Sequence, residues 1–125
     1  MPGKLVHFDI PVDDVEKMAG FYRAVLGWKI EPYGPGFAGY NMIDPTPGDD
    51  SEVKGGMGAK GTPEQVPMNY YESDDLEVTN QLVRDSGGQV LMERMTVPTM
   101  GYFSVCLDPE GNVFGNWVED ESATL

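Results

Sequence analysis

The chain has 125 residues, 40% hydrophobic and 23% charged, enough for one domain with a packed core. Its 21 acidic against 8 basic side chains give a formal net charge of −13, which excludes a basic patch for a nucleic-acid backbone. No apolar run approaches the roughly 18 residues of a membrane span, so no membrane partner is expected.

The opening, MPGKLVHFDI, carries no charged-then-apolar secretory pattern. The single cysteine, Cys106, forms no internal disulfide, and a reducing cytoplasm fits it. Sixteen glycines and ten prolines favour a turn-rich fold containing β-structure over a helix bundle.

Lys4 to Val12 alternates as a strand, with Val6, Phe8 and Ile10 on one side and Leu5, His7 and Asp9 on the other. Asp13-Asp14-Val15-Glu16 reads as a capping box with Asp13 at its head. The helix after it runs to Leu26, with Val15, Met18, Ala19, Tyr22, Val25 and Leu26 as its apolar stripe and Gly27 as its stop. Trp28 to Tyr33 is a short strand, broken by Gly34-Pro35-Gly36. Strands follow at Gly39 to Ile43 and Glu52 to Ala59, with a polar loop between them.

After a connector at 60–67 the pattern repeats. Met68 to Ser73 is a strand. Asp74-Asp75-Leu76-Glu77 is a second capping box, and its helix carries Leu76, Thr79, Leu82 and Val83 inward until Gly87-Gly88. Gln89 to Met95 is a strand and Thr96 to Met100 a loop. Tyr102 to Leu107 and Asn112 to Val118 form a hairpin about Asp108-Pro109-Glu110-Gly111, where Pro fixes φ and Gly is free to take positive φ. Each half reads strand, helix, three strands. The expectation is α+β: one domain over 1–125, built of two βαβββ modules, about 4–59 and 68–120. Their sheets form a cupped mixed sheet with the helices on its outer face.

This duplicated unit resembles the vicinal oxygen chelate superfamily, which includes glyoxalase I, bleomycin-resistance proteins and extradiol dioxygenases. The residues that carry the resemblance are His7-Phe8-Asp9-Ile10-Pro11-Val12-Asp13-Asp14, Phe21-Tyr22 through Leu26-Gly27-Trp28, and Asp108-Pro109-Glu110-Gly111-Asn112. It implies a divalent ion held in the cup by His or Glu from matching strand positions. Only His7 survives that comparison. Its counterpart in the second half is Met68, and the acidic positions fall on Gly115 and Gly55. A thioether is a poor ligand for a hard ion, and a catalytic site needs about three protein ligands. No cofactor is therefore expected; if a divalent metal binds, His7, Asp9 and Glu72 are the available set.

Alternation places His7, Asp9, Tyr40, Met42, Met57, Met68, Tyr70, Tyr102, Ser104 and Trp117 in the cup. That set suits a small apolar or aromatic molecule oriented by His7 and the tyrosine hydroxyls. The expectation is a metal-free small-molecule binding protein. The alternative is an enzyme of lyase, isomerase or dioxygenase type, using a non-standard metal site or acid/base catalysis by His7, which Asp9 would orient. Cys106, on an apolar strand without a basic neighbour, is not expected to be a nucleophile. The resemblance further implies a homodimer.

Overall fold

Alternating side chains, two capped helices and glycine stops produce the expected order. β1 spans Leu5–Val12 and α1 Val15–Leu26, then β2 (Lys29–Pro32), β3 (Asn41–Asp44) and β4 (Lys54–Ala59). The repeat is β5 (Met68–Glu72), α2 (Leu76–Asp85), β6 (Gln89–Val97), β7 (Gly101–Leu107) and β8 (Val113–Glu119). The fold is α+β. The computed structural model describes residues 3–35, 37 and 39–125, so Gly36 of the expected break lies outside the described residues. The chain divides into two compact units: an N-terminal unit, His7–Pro67, and a C-terminal unit, Met68–Leu125 with the residues up to Val6.

In the N-terminal unit the strand order is β2-β3-β4-β1. β1 runs parallel to β4, with Asp9 opposite Gly56 and Ile10 opposite Met57, while β2–β3 and β3–β4 are antiparallel. Parallel strands need a crossover, supplied here by α1, β2 and β3. One sheet face packs on α1 through buried Val12, Ala19, Ile30, Ile43 and Met57, with Phe8, Ile10, Val15, Met18, Tyr22 and Trp28 around them. Tyr22 stacks on Trp28 with centroids 4.9 Å apart. The expected helix stripe is too long: Val25 and Leu26 are more than half exposed, because the last turn of α1 runs past this cluster.

Both helix caps sit one residue later than expected. Asp14, still extended at φ −133° and ψ 100°, accepts from the Lys17 amide at 3.1 Å. Asp75 likewise accepts from the Val78 amide at 3.2 Å. The third helical positions are therefore Lys17 and Val78, so no carboxylate reaches back and neither capping box closes. Gly27 ends α1 in the left-handed region at φ 69°, with its N–H on the Arg23 carbonyl.

In the C-terminal unit the order is β5-β8-β7-β6, with β5 parallel to β8 and the other pairs antiparallel. α2 buries Leu76 and Asn80, whereas Leu82, expected inward, is exposed. At 100° per residue Leu82 stands about 120° from Leu76, while Asn80 and Val83 fall on Leu76's side. β6 continues two residues beyond expectation, through Thr96 and Val97. Its turn is closed by Met100 N–H on the Val97 carbonyl and passes through Thr99 at φ 65°.

Candidate functional site

Side chains on β1 that do not face α1 lie on the helix-free face of the N-terminal sheet. His7 and Asp9 are there, with side chains 29% exposed. Tyr40 joins them from the turn before β3. That turn is fixed by Tyr33 N–H on the Tyr40 carbonyl and Tyr40 N–H on the Phe37 carbonyl. The Tyr40 hydroxyl donates to Asp9 Oδ1 at 2.6 Å. His7 Nε2 lies 2.9 Å from the same Asp9 oxygen and 2.9 Å from the Tyr40 hydroxyl. Three polar groups thus close a ring of contacts.

Gly56 makes this possible. It sits opposite Asp9 on β4, and a Cβ there would fall inside the Tyr40 ring and hydroxyl. Tyr40 therefore lies over a sheet position that carries no side chain. Tyr33 packs on both Phe37 and Tyr40, with centroids 4.6 and 5.8 Å apart, so an aromatic cluster flanks the polar ring. On the same face, Lys54 stands opposite His7 in register, but its ammonium is held by Asp44 Oδ1 and the Asp49 carbonyl, both at 2.8 Å.

The C-terminal unit builds its helix-free face differently. Tyr70 lies opposite Gly115, where a Cβ would collide with the Tyr70 ring, and meets Phe103 edge-on at 5.5 Å. Glu72 pairs with Trp117 on the same side. This face is aromatic where that of the N-terminal unit is polar.

The expected site residues divide accordingly. His7, Asp9, Tyr40 and Met42 share the helix-free face of the N-terminal sheet. Met68, Tyr70 and Trp117 share that of the C-terminal sheet by alternation. Three positions differ from expectation. Met57, opposite Ile10, is fully buried in the core against α1. Ser104 is fully buried on the α2 side, where Asn116 Nδ2 donates to its Oγ at 3.1 Å. Tyr102, two residues away on the same strand, shares that side and carries the Arg94 guanidinium 3.7 Å from its ring centroid. An expected alternation that starts one residue out exchanges the two faces.

The counterpart of Gly115 also changes. Gly55 faces α1 beneath the Phe8 ring; Gly56 is the helix-free glycine that matches Gly115. Sequence reasoning missed Gly56, Phe37 and Tyr33. It also missed the buried cluster of Asn80, Ser104, Cys106 and Asn116, whose one signal is an asparagine in the apolar stripe of α2. Burial pushes the Cys106 thiol up, which makes the thiolate scarcer still.

The donor chemistry of the N-terminal face does not fit the divalent centre that the fold implies. His7 and Asp9 supply two ligating side chains. At Gly56 and Gly115 a further ligand side chain would collide with Tyr40 and Tyr70. Among the described residues no group of three or more His, Cys, Asp and Glu is placed to hold a metal ion. Also among them, no helix is long and apolar enough to cross a membrane.

Residues 4–46 match the model of a family described as bleomycin resistance protein-like N-terminal. A glyoxylase-like domain-containing protein of Didymella fabae is 29% identical over 117 residues, covering 88% of this chain and 89% of that protein. A Mycobacterium bovis protein that carries the name glyoxylase CFP32 is 32% identical over 114 residues, covering 90% of this chain. The chain spans 42% of the length of that relative. A glyoxalase/bleomycin resistance protein/dioxygenase superfamily member from Vibrio splendidus shares the fold with a TM-score of 0.65 and 14% identity, over 92% of this chain and 97% of that one.

Proposed function

We propose that this chain is a member of the vicinal oxygen chelate superfamily of glyoxalases, bleomycin resistance proteins and dioxygenases, and that it binds a small apolar or aromatic molecule on the helix-free face of its N-terminal sheet. His7, Asp9 and Tyr40 orient the ligand, and no metal takes part. The observation that carries this reading is the closed contact among those three side chains over Gly56.

A polar cluster that only satisfies itself belongs in a core, where lone donors and acceptors are costly. This one stands part-exposed on the face away from the core cluster. Ordering three side chains there loses rotamer freedom that part-exposed hydrogen bonds return only weakly. A site that must present polar groups in fixed geometry gives that expense a use. The neighbouring Tyr33 and Phe37 offer an apolar wall for the ligand body.

A second reading is favoured by the same distances. His7 Nε2 and the Tyr40 hydroxyl both contact Asp9, so a proton can pass between them, and His7 would then serve as the acid/base of an enzyme. Ligand-observed NMR with small apolar and aromatic compounds tests the first reading on wild type, Tyr40→Phe and His7→Ala. Binding below about 1 mM that weakens about tenfold in Tyr40→Phe supports it. Absence of any hit, or hits indifferent to both changes, contradicts it. Turnover of a bound compound that His7→Ala abolishes selects the second reading.

A further inference from the structure

The C-terminal unit holds a cleft that the site proposed above does not use. Its volume is about 420 Å³, within the range of small-molecule sites, and it is lined by Asn69, Tyr71, Asp108, Asn112, Val113 and Phe114. Strand alternation builds it. Tyr71 stands opposite Asn116 in the β5–β8 register, so Asn69, Tyr71 and Phe114 share the sheet side on which α2 packs. In the order β5-β8-β7-β6, α2 lies mainly over β6 and β7. The starts of β5 and β8 therefore border the cleft, and the turn between β7 and β8 forms its end wall.

Two kinds of surface meet in this cleft. The half-buried rings of Tyr71 and Phe114 lie with centroids 6.2 Å apart and planes tilted by 59°, an angled apolar wall for a flat ring. Asp108 supplies a charge. Its Oδ1 accepts from the Glu110 and Asn112 amides and its Oδ2 from Asn112 Nδ2, each at 2.9 Å. These neutral donors hold the carboxyl below its ordinary value, so it is ionised at neutral pH. They bring no counter-charge. Among the described residues no Lys, Arg or His pairs with Asp108. The two arginines of this unit are engaged elsewhere, Arg84 with Glu93 and Arg94 over the Tyr102 ring.

We propose that this cleft is a second ligand site, for an aromatic cation whose ring lies against Tyr71 and Phe114 and whose ammonium meets the Asp108 carboxylate. The ammonium supplies the counter-charge that amide donors lack, and it is also attracted to the faces of the two rings. A neutral ring of the same size loses the ionic contact. A carboxylate meets like charge at Asp108, with Glu110 two residues on in the same turn adding to it. The proposal stands on the C-terminal unit alone and is independent of the N-terminal face.

The test titrates 2-phenylethylamine, 2-phenylethanol and 3-phenylpropionate into the whole chain at neutral pH and low salt, followed by backbone amide NMR shifts. There the amine is protonated and the acid ionised. The amine is expected to shift the amides of Asn69, Tyr71, Asn112 and Phe114 and to bind about fivefold more tightly than the alcohol or the acid. Asp108→Asn is expected to erase that preference. Should Asp108→Asn unsettle the turn, Tyr71→Leu leaves the turn's own contacts in place and is expected to weaken the amine about threefold. Alcohol or acid binding as tight as that of the amine overturns the proposal. So do shifts centred on other residues, His7, Asp9 and Tyr40 included, and an amine affinity that neither substitution changes.

Discussion

Replacing Gly56 by alanine isolates the device on which the site depends. Gly56 does not sit at positive φ, so alanine suits its backbone, and in a strand interior the change alone stabilises by about 0.5–1 kcal/mol. The added Cβ, however, would occupy the Tyr40 ring and hydroxyl, which are its nearest neighbours. Tyr40 must therefore swing away and release its 2.6 Å bond to Asp9 and its contact with His7. A hydrogen bond to a charged group contributes about 1.5–3 kcal/mol. Set against the backbone gain, the expected net loss is about 1–2 kcal/mol.

Urea unfolding of wild type, Gly56→Ala, Tyr40→Ala and the double variant measures this as a coupling energy. In the Tyr40→Ala background the same glycine substitution is expected to be neutral or stabilising, because the three atoms nearest the added Cβ all belong to the Tyr40 ring and hydroxyl. Equal effects of Gly56→Ala in both backgrounds would refute the reasoning.

Gly115→Ala places a Cβ in the Tyr70 ring, which is 8% exposed and packed on Phe103, so it has less room to yield. A loss of about 1–3 kcal/mol is expected from the same unfolding assay. Thr99 is β-branched at φ 65°; Thr99→Gly is expected to raise stability by about 0.5–1 kcal/mol, read as a higher melting temperature. The Asn112 side chain, followed by its own backbone amide and those of Glu110 and Gly111, holds the Asp108 carboxyl below its ordinary value of 3.8. A depressed carboxylate stabilises the fold above that ordinary value, and the contribution is lost only as pH falls below it through the folded-state value. A carboxyl NMR titration is expected to put the Asp108 midpoint below 3.8 in wild type and to move it upward in Asn112→Ala.

Periodicity and turn chemistry made the fold legible. Asp-Asp before each helix, Gly27 after the first, and Asp108-Pro109-Glu110-Gly111 in the last hairpin are local signals, and both helices and the hairpin follow from them. Which Asp caps was not legible, since either can accept from an amide three residues on. His7, Asp9 and Tyr40 were legible as a group because strand alternation sets faces. Met57, Ser104 and Tyr102 were misplaced because alternation gives two faces without saying which one the helix covers. Only partners distant in sequence, Ile10 for Met57 and Asn116 for Ser104, settle that. Gly56 and Gly55 are indistinguishable along the chain. Tyr40 above one and Phe8 above the other separate them.

The most direct test of the central claim is to follow backbone amide NMR shifts while titrating 4-methylphenol, with and without a strong chelator. The account predicts shift changes centred on His7, Asp9, Tyr40 and Gly56, with the same affinity in both conditions. Changes confined to other residues, or binding that disappears with the chelator, would contradict it.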